Sequence, residues 1–235
     1  MAKYVVLDEK GFPKAFYDSK INNYIPCNAI LISEEVWKTL IENQGKVVYF
    51  KNEIINIENK IWDEQNKIWR DKTEEELLEE ERYKKLIELD ILTTNYILKN
   101  YSDVKQKSDL ADKEYFGAAL LMANPNYTTD EIYRKVGEYA NQLLDNFYKE
   151  IQEGTEHCPA IILTKFLDEI LQKLPESERF YWEQLIKVGV RTAWVQLVKD
   201  KYRKLKEQIL NISTLDELKS VNITEADFPL FPKFQ

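Results

Sequence analysis

Glycine, cysteine and histidine are scarce in this chain, at six, two and one of 235 residues. The glycines are dispersed, so neither a phosphate-cradling loop nor a dinucleotide fingerprint can be assembled, which excludes most nucleotide-dependent enzymes. Cys27 and Cys158 stand far apart, a usage that fits a reducing compartment rather than a disulfide scaffold. No apolar run approaches the roughly 20 residues that cross a bilayer, and no basic-headed apolar leader opens the chain. A soluble protein with no membrane partner is expected. A cationic excess is missing too: 33 Lys and Arg face 41 Asp and Glu, for a net charge of −8. With the charges spread along the whole length, no basic field draws a phosphate backbone, and nucleic acid is not an expected partner.

What is present divides by pattern into three stretches that together predict an α+β protein: a small β-rich domain with one short helix over residues 1–71, a connector helix over 72–106, and an all-helical domain over 107–235. In the first, Tyr4-Val5-Val6-Leu7 and residues 12–17 flank Asp8-Glu9-Lys10-Gly11, where Gly11 suits a hairpin turn. Residues 46–50 and 54–57 flank Lys51-Asn52-Glu53 as a second hairpin. Ile61-Trp62 and Ile68-Trp69 form a third, with the tryptophans placed for cross-strand contact. Between the first two, Pro26 biases Ile25 toward extended backbone, Ala29, Ile30 and Ile32 suit a half-buried strand, and Ser33 caps a short helix through Glu42.

Composition changes at Thr73-Glu74-Glu75-Glu76, a capping box that starts a helix running to about Lys99. Its Leu78, Leu89, Leu92 and Tyr96 share one stripe, while Leu77, Ile87 and Ile91 lie nearly opposite. Two apolar sides fit a connector that packs between layers or against another chain, and equally a helix sandwiched within its own fold. Beyond it, Ser108 or Asp109 is a candidate cap for a helix through Met122 with small residues at Gly117, Ala118 and Ala119. Thr128-Thr129-Asp130-Glu131 caps a helix with a clean 3.6-residue stripe from Ile132 to Ile151, ended by Gly154. Two more helices precede and follow Pro175, the second reaching about Leu210, and Thr214 begins a short last one. Phe228-Pro229-Leu230-Phe231-Pro232-Lys233-Phe234 cannot form a regular element, and packing back on its own domain is favoured over service as an extended ligand.

Catalytic constellations are sparse. His157-Cys158 is the one neighbouring base and nucleophile, but adjacent side chains on an extended loop point apart, and a loop residue beside a buried small thiol is the simpler reading. Cys27, Cys158 and His157 have no metal-ligand spacing. The glutamates of residues 74–76 and 79–81 read as a solvated helix start, and Lys199, Lys201, Arg203, Lys204 and Lys206 as a solvated face. No enzyme activity, cofactor or metal is expected. A hydrolase using Cys158 is a competing class.

Ile25-Pro26, then Ala29 to Ser33, Glu34-Glu35 and Trp37 to Leu40, followed by Gly45-Lys46-Val47-Val48 with Ile54-Ile55 and by Thr73 to Leu77, resembles the pattern of the phage tail-fibre assembly proteins. The resemblance covers about the first third of the chain and has no counterpart for the helical remainder. It implies a chaperone of the bacterial host cytoplasm that binds the distal, receptor-binding end of a trimeric tail fibre and promotes its folding and trimerisation. It leaves room for a homo-oligomer or a fibre-templated trimer. The alternative is a structural component or adhesin retained at the tip of the mature phage or tailocin fibre. Independently, a β-rich unit of about 70 residues is marginal alone, yet this one is rich in aromatics, the usual anchors of interfaces; its apolar surface is expected to dock on something, its own helical domain for most of the area or a partner. Tyr4, Phe12, Tyr17, Trp37, Tyr49, Trp62 and Trp69 are the expected partner-binding residues.

Overall fold

The computed structural model describes residues 2–154 and 158–234. It is α+β, with helix over 60% of the chain and strand over 13% in small antiparallel sheets near the N-terminus. The chain divides into two compact units, Met1–Glu81 and Arg82–Gln235.

The first unit is assembled from hairpins. β1 (Lys3–Leu7) is the centre of a three-stranded sheet, flanked by β2 (Pro13–Asp18) and β3 (Ile30–Ile32), both antiparallel to it. Ser33 caps α1 (Glu34–Glu42) by accepting from the Val36 amide, with two glutamates in the first turn where the helix dipole favours them. Val36, Trp37 and Leu40 of α1 then close over Val5, Ile32 and Phe16 to form the unit's core. β4 (Val47–Phe50) and β5 (Glu53–Asn56) are joined by Lys51 and Asn52, both at positive φ, the two-residue turn whose twist matches its strands. β6 (Lys60–Asp63) and β7 (Ile68–Asp71) set Trp62 directly opposite Trp69.

Gly11 ties two of these hairpins together. It sits at φ 91°, and its carbonyl accepts from the Tyr49 amide at 3.0 Å. A Cβ there would lie 2.7 Å from the Tyr49 carbonyl oxygen. Gly11→Ala will therefore destabilise this unit by about 1–3 kcal/mol, through left-handed strain and forced separation of the two strands. Tryptophan fluorescence in a urea titration reads the effect; an unshifted midpoint would show that the contact is dispensable.

α2 (Glu74–Asn100) begins with the capping box foreseen from sequence: Thr73 Oγ1 accepts from the Glu76 amide and Glu76 Oε2 from the Thr73 amide. Arg70 grips the same carboxylate with two nitrogens at 2.7 Å and, with the Thr73 bond, holds the Glu76 pKa down to about 2.

α3 (Asp103–Ala123) is capped not by Ser108 or Asp109, as expected, but by Ser102, which accepts from the Lys105 amide about two turns earlier. Asp109 instead lies inside the helix and is buried. α4 (Thr129–Gln152) is capped by Thr128 and ended by Gly154 at φ 74°. α5 (Pro159–Leu171) follows, then a 3-10 turn over Glu176–Glu178 and the 33-residue α6 (Arg179–Asn211). Thr214 caps α7 (Leu215–Ser220).

The core of this second unit gathers Ile132, Leu143 and Phe147 of α4, Leu163 of α5, and Trp182, Leu185 and Ile186 of α6. Gly189 permits the close approach of α6 to α4, since a Cβ there would meet Val136 Cγ1 at 2.7 Å. Residues 228–234 pack back as expected, and α2, α4 and α6 pin them. Tyr96 Oη and Trp194 Nε1 donate to the Pro229 carbonyl at 3.1 and 2.9 Å, and Tyr148 Oη to that of Leu230 at 2.8 Å. Phe228 stacks on Tyr96, while Phe231 meets the Trp194 ring edge-on at 4.7 Å.

Candidate interaction surfaces

The seven aromatic residues expected to bind a partner fall into three groups. Trp37 and Tyr49 pack against the Val5–Leu40 core, with Trp37 edge-on to Phe16 at 4.9 Å. Phe12, Trp62 and Trp69 form a chain of edge-to-face rings, extended by Phe50 and fixed by the Trp69 Nε1 bond to the Lys10 carbonyl at 2.8 Å. Each such ring pair contributes roughly 0.5–1.5 kcal/mol beyond its buried area. These five side chains are half-buried and make these ring and core contacts within the first unit, while Trp62 Nε1 is buried without a hydrogen-bond partner.

Tyr4 and Tyr17 are half-buried as well, but they lie on another face. Side chains alternate across a strand, so Val5, Phe16 and Ile32 face α1, while Tyr4 and its cross-strand partners Tyr17 and Leu31 share the opposite face. The next row on that face is Val6 with Ala15. Leu31 is 61% exposed, and the segment from β2 to β3 adds Ile21 and Tyr24 at 78% and 75%. β3 is paired on one side only, which leaves a strand edge beside this row. Leu31, Ile21 and Tyr24 were not singled out from sequence. Leu31 was legible as the residue out of phase between Ile30 and Ile32; Ile21 and Tyr24, in a polar loop, gave no periodic signal.

A second surface lies on α2. Leu89, Thr93 and Tyr96 are its buried positions, whereas Tyr83, Ile87, Ile91 and Leu98 are exposed and recur at helical spacing on the other side. Of the two apolar sides read from sequence, one is therefore interior and the other faces solvent.

Two buried carboxylates organise the helical unit. Asp109 accepts Arg191 Nε and Nη2 in a two-point grip, Tyr101 Oη at 2.8 Å and Lys105 Nζ at 2.7 Å. Burial raises its pKa, but the bonds from Arg191, Lys105 and Tyr101 outweigh that and hold the group below the usual carboxylate range. Burial, followed by the Asp109 bond, pushes the Tyr101 hydroxyl well up. Glu178 accepts Asn124 Nδ2, Tyr127 Oη and Trp182 Nε1, anchoring the turn before α6. Both clusters satisfy themselves within the fold. Cys27 and Cys158 are free thiols, and Cys158 is exposed rather than buried as expected, because it stands at the cap position ahead of Pro159 in α5; His157 lies outside the described residues. Among the described residues no group of three or more His, Cys, Asp or Glu could hold a metal ion, and no helix is long and apolar enough to cross a membrane.

Comparison with family models, with curated proteins and with solved structures finds no match for this chain.

Proposed function

We propose that this chain is a tail-fibre assembly chaperone, binding the distal end of a trimeric phage or tailocin fibre and promoting its folding and trimerisation. The observation that carries this reading is the Tyr17–Tyr4–Leu31 row beside the unpaired edge of β3. A fibre end that has not yet trimerised exposes apolar side chains and open strand edges, the two features that drive aggregation. A small sheet with a free edge can pair with such a strand through its backbone, while tyrosines and leucine cover the neighbouring side chains. The outer stripe of α2 supplies a second contact surface in this reading. Binding alone suffices, and no covalent step is involved.

The test is co-expression of a phage or tailocin tail fibre, chosen from any encoded beside this gene, with and without this protein. Soluble trimeric fibre is expected only in its presence; soluble trimer in both cases sinks the reading. Replacing Tyr4 and Tyr17 by Ser will weaken fibre binding at least roughly tenfold, equivalent to about 1.4 kcal/mol, in a pull-down titration. An unchanged affinity would move the contact off this face of the sheet.

A further inference from the structure

α3 has two faces of opposite character. Asp109, Gly117 and Leu120 are buried on one. On the other, Val104, Ser108, Ala111, Tyr115, Ala118 and Met122 are all exposed, with Val104 at 78%, Tyr115 at 68% and Met122 at 83%. A surface helix ordinarily turns charge outward, and this chain is 31% charged, yet the outermost stripe of α3 carries none. Its residues are spaced by alternating steps of four and three, the heptad rhythm of a seam between paired helices. The seam spans about 27 Å at 1.5 Å per residue.

We propose that this seam joins two copies of the chain in a parallel, in-register helix pair. Each seam residue then meets its own counterpart, and the Ala111 and Ala118 layers on either side of Tyr115 let the helices approach while the tyrosine rings fill the middle. The flanking charges choose both the occupant and the direction. In a parallel pair a residue just before a seam position faces the residue five further along on the other copy, so Lys107 meets Asp112 across both edges. Among the described residues neither Lys107 nor Asp112 forms an ion pair within the chain. Antiparallel pairing centred on the seam would instead gather Asp112 and Glu114 of both copies near the two-fold axis, where like charges repel. The inference rests on the helical unit alone and is independent of any fibre client.

Sedimentation equilibrium of the whole protein at high micromolar concentration is expected to give twice the 27.9 kDa chain mass. Tyr115→Lys is expected to give a monomer with unchanged helical circular dichroism. Lys107→Glu and Asp112→Lys will each raise the dissociation constant at least roughly tenfold, and the double reversal will restore it, since the pair is re-formed with its signs exchanged. In a Cys27→Ser, Cys158→Ser background, Ala111→Cys will cross-link two copies on mild oxidation. A monomeric parent protein, or a dimer indifferent to Tyr115→Lys, overturns the proposal. A dimer weakened by both single reversals but not rescued by the double, or lacking the cross-link, overturns the parallel register.

Discussion

Asp109→Ala will destabilise the helical unit by about 3–5 kcal/mol, the cost of leaving a buried cation without its counter-charge. Asp109 is 1% exposed and is the shared acceptor for Arg191, Lys105 and Tyr101. Its removal strands the Arg191 guanidinium, held on α6, and the Tyr101 hydroxyl ahead of α3 without their acceptor. Asp109→Ala combined with Arg191→Met should recover much of the loss, because an apolar replacement of a buried ion pair is often neutral. Urea denaturation followed by far-ultraviolet circular dichroism measures both; a double variant as unstable as the single would mean that packing around Arg191, not charge, carries the effect. The pH dependence has a definite sign. The native carboxyl titrates below its unfolded value, so its stabilisation is complete above about pH 4 and fades as pH falls through the depressed native value. Asp109→Asn will remove that part of the acid limb and flatten the fall in helical stability below pH 4.

Trp194→Ala is expected to cost about 3–5 kcal/mol, the range for emptying a fully buried aromatic site. Trp194 is 0% exposed, packs against Tyr96 and Phe231, and donates to the Pro229 carbonyl. Trp194→Phe keeps most of the ring and loses only the N–H; since Tyr96 still serves the same carbonyl, its cost should be nearer 1 kcal/mol. Hydrogen exchange separates the global from the local effect. In Trp194→Ala the amides of Leu230 and Phe231 will exchange faster than those of α4, whereas equal acceleration throughout would make the tail inseparable from the core.

How much of this was legible in the sequence follows from how local each signal is. Caps at Ser33, Thr73, Thr128 and Thr214 involve residues three apart, and all four form. The Trp62–Trp69 pairing was equally accessible, because the hairpin brings near neighbours together. The start of α3 was misplaced because Asp109 reads as a cap, while the reason it lies inside a helix is Arg191, 82 residues away. Alternation in sequence marks a strand but not which side a helix will cover, so Tyr49, packed against the core, looked the same as Tyr4 and Tyr17. In α3, Gly117 does permit a close approach, with Tyr133 standing where a Cβ would go. Ala118 beside it points outward into an uncharged stripe whose alanines and serine dilute any hydrophobic periodicity.

The bonds that hold residues 228–234 also set an order of events during synthesis. Tyr96, Tyr148 and Trp194 leave the ribosome before the carbonyls of Pro229 and Leu230 that they will bind. The hairpins of the first unit pair largely with close sequence neighbours and can form while the helices are still being made. The helical unit must wait: until residues 228–231 emerge, Trp194 and Tyr96 lack the Phe228 and Phe231 rings and the Pro229 carbonyl that meet them. A nascent chain paused before Phe228 would therefore leave those ring faces and donors of Tyr96, Tyr148 and Trp194 open to the cell, and the emergence of residues 228–231 covers them.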